Sequence, residues 1–137
     1  MSLWGRIKAG ARIHMSSEAG AQRPGAPEVR ESEWIITKAV FDHTQVNLLL
    51  TSLERGEAEV LVLAKEIKAD LILLDEEKAR KSAVLAGFKI IGLIGVLIIA
   101  KQMGLIKNIK SVLEHLQKEN FRLSHKIITE ALKRAGE

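Results

Sequence analysis

From residue 34 onward, apolar positions recur along this chain with two different periods. Before it they keep no sustained spacing. Residues 34–40 (WIITKAV) form a short β-prone run. Asp42 followed by Gln45 resembles a capping box and predicts a helix running through Leu53, with Val46, Leu49, Leu50 and Leu53 facing inward. Glu54-Arg55-Gly56 breaks that helix. A second helix over 57–68 turns Ala58, Leu61, Ala64 and Ile67 inward. Residues 71–74 (LILL) are unbroken apolar between Asp70 and Asp75, the pattern of a strand covered on both faces. A charged helix over 76–86 stops at Gly87. A buried strand over 88–91 and a buried helix over 93–103, ended by Gly104, follow. Ile109, Val112, Leu113 and Leu116 lie on one stripe of a helix over 109–119. Ser124 caps a last helix whose inner face is Ile127, Ile128, Ala131 and Leu132.

Helices alternating with strands imply an α/β fold: parallel strands, right-handed crossovers and helices on both faces. Sites in such sheets form outside the carboxyl ends of the strands, where Asp75 and Gly92 fall. Residues 1–33 read differently. They hold both prolines (Pro24, Pro27), Gly5, Gly10, Gly20 and Gly25, and the stretch SSEAGAQRPGAPE, which predicts a flexible arm. The organisation expected is an arm over 1–33 and one domain over 34–137.

The most apolar window, residues 90–100 (IIGLIGVLIIA), is closed by Lys89 and Lys101. It is far shorter than the roughly 20 residues a spanning helix needs, so no membrane segment is expected. No apolar stretch follows Arg6, Lys8 and Arg12 to make a signal peptide. With 137 residues, 47% of them hydrophobic, the chain can bury a core of its own. The absence of cysteine excludes disulfides, thiolate nucleophiles and Cys-ligated metal, and a cytoplasmic location is expected. Aromatics are 4% of the chain, too few for base stacking to dominate a nucleic-acid contact. Charge is strongly segregated. Residues 54–77 carry eight acids against three bases, whereas residues 78–110 carry seven bases and no acid. That is either a pair of solvated helix faces or a cation site beside a polyanion site.

Asp75, at the end of a buried strand, is placed to bind a divalent metal or to cap the helix that follows. Glu57 and Glu59, in the first turn of a helix, suit either the helix dipole or a metal. Carboxylates from two segments meeting at one point are the arrangement for Mg²⁺ or Mn²⁺, so Glu57 and Asp75 are expected to approach one another. His14, His43, His115 and His125 lie in four separate segments with no zinc spacing. No G-x-S-x-G, G-x-G-x-x-G or G-x-x-x-x-G-K-[ST] occurs. Gly92 and Gly95 of GLIG suit close strand–helix packing better than a phosphate cradle.

Several ordered motifs carry a resemblance: Gly56-Glu57-Ala58-Glu59, LLDE at 73–76 followed by Arg80, GLIGVL at 92–97, AKQMGLI at 100–106, NFRLS at 120–124 and the final Ala-Gly-Glu. Over residues 54–137, and more loosely over 34–53, the chain resembles the C-terminal part of a prokaryotic PIN-like domain family related to VapC-type toxin nucleases. The resemblance implies a three-layer α/β/α fold with a short parallel sheet and RNA cleavage with Mg or Mn held by a cluster of acids. Carried over, it makes Glu57 and Asp75 catalytic, Glu57, Asp75 and Glu76 metal ligands, and Arg80 a phosphate-binding residue. It also implies a first strand ending in an Asp. No Asp precedes Asp42, so the expectation is a PIN-like domain incomplete at its N-terminus, its metal site and nuclease activity impaired.

Two functions compete on these grounds. One is a metal-dependent endoribonuclease of toxin–antitoxin type with an incomplete acidic site. The other is a non-catalytic interaction module, the degenerate remnant of such a toxin. RNA, an antitoxin-like protein and a second copy of the chain are the expected partners. The second copy would cover the edges and apolar faces that a missing strand exposes.

Overall fold

The computed structural model describes residues 13–16, 27, 31–33 and 35–137; most of the 1–33 arm, and Trp34, lie outside them. The chain is α/β and divides into two compact units. One runs to Ile72 and includes Glu76–Ile90; the other joins Leu73–Asp75 to Ile91–Glu137.

In the first unit, β1 (Ile13–Ser16) pairs in parallel with β2 (Ile35–Lys38), from Ile13 beside Ile35 to Ser16 beside Lys38. The arm therefore supplies a strand, although no apolar period marked one. α1 (His43–Leu49) starts at Asp42, whose carboxylate accepts the Gln45 N–H at 3.0 Å. It stops short of the expected Leu53, because the Thr51 and Ser52 hydroxyls donate back to the carbonyls of Leu48 and Leu49 and turn the chain. Val46 is buried, but Leu50 faces solvent rather than the core. α2 (Arg55–Glu66) begins before Gly56 instead of after it. A first-turn amide has no intrahelical partner in any case, so a glycine there disturbs little. Ala58, Leu61, Val62, Leu63 and Ala64 of α2 are buried, and α2 packs on β1, α1 and α3 (Glu77–Leu85). At its far end Glu66 accepts the backbone N–H groups of Phe41 (3.0 Å) and Asp42 (2.8 Å), tying the start of α1 to α2. Gly87, at φ +85°, closes α3 in the left-handed conformation expected of a C′ residue.

β3 (Ile72–Leu73) pairs with β4 (Ile90–Ile91). The Ile72 N–H donates to Lys89 O at 2.8 Å and the Leu74 N–H to Ile91 O at 3.0 Å. The partners advance together, so the pair is parallel. Ile72 and Leu74 are buried while Leu73 is 57% exposed. The LILL run is thus covered on one face and not on both: period-two alternation sends Leu73 away from the core that takes its neighbours.

The second unit packs α4 (Leu93–Gln102), α5 (Ile109–Lys118) and α6 (His125–Ala135) around Leu97, Ile109, Leu113 and Ala131. α4 is apolar all round yet buries only Leu97; Val96 and Met103 face solvent, contrary to the expected buried helix. α5 and α6 pack on α4, and Leu93, Ile94 and Ile98 are half-buried against the same core while Val96 is left exposed. Ile127, expected inward on α6, is also exposed, while Ile128 and Leu132 pack against the core. Asn108 and Ser124 cap α5 and α6 by accepting the N–H groups of Ser111 (2.9 Å) and Ile127 (3.2 Å). Glu137 closes the unit. Its carboxylate accepts the Lys101 ammonium (2.7 Å) and the N–H groups of Ile109 (2.8 Å) and Lys110 (3.0 Å).

Candidate functional site

Within the first unit, the turn after α1 and the N-termini of α2 and α3 enclose a hollow of about 280 Å³ lined by Ser52, Leu53, Glu54, Glu57, Glu76 and Lys78. The local reasons are plain. Glu54 is the N-cap of α2 and Glu57 lies in its first turn; Glu76 is the N-cap of α3. Carboxylates favour these positions because the helix dipole and the unpaired first-turn amides are positive there. Two such helix starts line one hollow with three carboxylates from the acid-rich stretch.

They are not equivalent. Glu76 commits one oxygen to its own helix, accepting the Ala79 N–H at 2.8 Å. Glu54 makes no side-chain cap. Glu57 is half-buried, and its Oε2 is buried with no hydrogen-bond partner. A buried carboxylate oxygen without a donor is unfavourable unless something outside the chain supplies one. Glu59, one of the acids with a helix-dipole reading, is instead only 4% exposed, with Arg55 at 3.8 Å.

Asp75 belongs to the second unit and does not cap α3, a task taken by Glu76. Its Oδ1 lies 3.5 Å from the Leu93 N–H, a long contact at the start of α4, where Gly92 offers no side chain to cap the helix. Arg80 is half-buried on α3 and does not line the hollow. Of the expected site residues, Glu57 and Glu76 therefore share the hollow, joined by Ser52, Glu54 and Lys78. Those three had a legible signal only in part: Glu54 opens the acidic stretch and Lys78 the basic one, and Ser52 had none.

Glu57 and Glu76 offer oxygen donors only, which suits a hard divalent cation, and Mg²⁺ is commonly held by one or two carboxylates with water filling its other positions. Among the described residues, no three Asp, Glu, His or Cys side chains, those of the hollow included, are placed to hold a metal ion together. No helix among them is long and apolar enough to cross a membrane.

No curated protein and no solved structure matches the chain. A family profile described as a PIN domain matches residues 15–137, which begins within β1 and takes in the hollow and all the helices. The chain belongs to the PIN domain family and is a nuclease-like domain.

Proposed function

We propose that this PIN domain is a divalent-cation-dependent endoribonuclease of toxin–antitoxin type, with weak cation affinity and slow turnover. The observation that carries the reading is the buried, unpartnered Oε2 of Glu57 in a hollow shared with Glu54 and Glu76. Mg²⁺ or Mn²⁺ held there would supply Lewis acidity toward a phosphodiester and lower the pKa of a bound water. Glu57 and Glu76 would hold the ion. Glu76, with one oxygen accepting the Ala79 N–H, has its carboxylate oriented by its own helix. Glu57 offers its unpartnered Oε2. Two ligands bind a cation less tightly than three or four, which is the physical reason for the low affinity.

Titration calorimetry with Mn²⁺ and cleavage of a labelled single-stranded RNA test the proposal. The expected result is weak binding, slow cleavage, and loss of both in Glu57→Gln, a change that keeps shape but removes the charge. Unchanged Mn²⁺ affinity in Glu57→Gln would refute it.

A second reading draws on the lack, among the described residues, of three converging ligands. It is a non-catalytic module that binds an antitoxin-like protein or a second copy of the chain. A purified chain that cleaves no RNA at saturating Mn²⁺ but forms a stable complex with such a protein would favour it.

A further inference from the structure

The hollow sets an electrostatic problem for any nucleic acid. Its lining carries three carboxylates, Glu54, Glu57 and Glu76, against one ammonium, Lys78, a formal charge of minus two. One divalent cation brings that lining to neutrality. Without Lys78 the cation-loaded hollow would remain negative and would repel a phosphodiester.

Lys78 is an exposed base at the start of a helix. It follows Glu77 in the first turn of α3, where the helix dipole opposes a cation. The N-cap Glu76 and the neighbouring Glu77 supply carboxylates in the same turn. Lys81, by contrast, is engaged by Glu77 at 2.7 Å, and that contact raises its pKa. Among the described residues Lys78 forms no such ion pair, although it shares the hollow with three carboxylates. Lys78 is thus the one base in a lining that otherwise carries carboxylates, and it is exposed to solvent.

We propose that Lys78 contacts a backbone phosphate of the RNA and supplies the charge that lets a polyanion approach the carboxylate-lined hollow. This rests on the cation-dependent nuclease reading above. Lysine suits the task as a compact point charge on a long stem, needing no fixed bidentate geometry.

The test measures anisotropy of a labelled single-stranded RNA against KCl with saturating Ca²⁺, alongside Mn²⁺ calorimetry, for the wild type and for K78A, K78R, R80A, K81A and E57Q. K78A is expected to weaken RNA binding severalfold at low salt and to flatten the slope of log K against log salt by about 0.7, the contribution of one phosphate contact on a single strand. Its Mn²⁺ affinity should hold or rise, since a like charge has been removed. K78R should restore RNA binding, and K81A should leave it unchanged. Wild-type slope and affinity in K78A, or a slope change confined to R80A, would overturn the assignment while the cation site stands. Unchanged Mn²⁺ affinity in E57Q would instead remove the site itself, and the role of Lys78 with it.

Discussion

Gly95 offers a sharp test of the packing in the second unit, because two effects of opposite sign meet there. It lies inside α4, where alanine in place of glycine ordinarily stabilises a helix by about 1 kcal/mol. A Cβ built on Gly95, however, would fall 2.6 Å from Cγ1 and 3.2 Å from Cδ1 of Ile91. Carbon atoms rest about 3.5–4.0 Å apart, so the overlap at Cγ1 is on the order of 1 Å. The atom struck is the first methylene of a β-branched side chain, which is stiff about χ1 and cannot swing aside like the tip of a lysine. Ile91 is also held in the β3–β4 ladder through its carbonyl, which accepts the Leu74 N–H at 3.0 Å. Forcing one extra carbon into such a contact costs about 1–3 kcal/mol. The overlap outweighs the helix gain, and Gly95→Ala is expected to destabilise the unit by up to about 2 kcal/mol. Urea unfolding followed by far-ultraviolet circular dichroism measures it, at constant m. In an Ile91→Ala background the struck atoms are gone, and the same substitution should stabilise by about 1 kcal/mol. That sign reversal is the decisive result. If Gly95→Ala raised the midpoint in the wild-type background, or shifted both backgrounds equally, Gly95 and Ile91 would not be in close contact.

Two further outcomes are expected. The Glu137 carboxyl is lowered from 4.5 to about 2, first by its hydrogen bond with Lys101 and then by those from Ile109 and Lys110. Because the folded value is depressed, the stability it contributes is complete above its ordinary value and is lost as pH falls from 4.5 toward 2. Thermal melts across that window should show an acid limb in the wild type that is weaker in Glu137→Gln; identical acid limbs would contradict it. Leu113 is 1% exposed in the core of the second unit, so Leu113→Ala should cost about 2–5 kcal/mol by urea unfolding, and a loss below 1 kcal/mol would mean the core is looser than described.

Much of this molecule was set by short-range chemistry that sequence alone expresses. Asp42, Asn108 and Ser124 cap helices because each carboxylate, amide or hydroxyl needs only the N–H three residues on. Gly87 and Gly104 end α3 and α4 at positive φ, where other residues are strained. The stripe of Ile109 and Leu113 on α5 and the membership of the PIN domain family were legible for similar reasons, since ordered local motifs carried them.

What covers an apolar residue is not a local property. Leu73 and Val96 sit in runs as hydrophobic as any in the chain and are exposed, because burial depends on which distant elements pack above them. β1 needed no period of its own to become a strand; its ladder partner, β2, lies about twenty residues further on. The hollow belongs to the same class. Sequence singled out Glu57, Asp75, Glu76 and Arg80 one position at a time. Only the packing of α2 against α3 decided that Glu57 and Glu76 share a cavity with Lys78 and that Arg80 does not line it; in the other unit, Asp75 places its oxygen near the amide of Leu93. Spacing along a helix places a charge on a face, but which other helix start meets that face is determined by long-range contacts that no local period encodes.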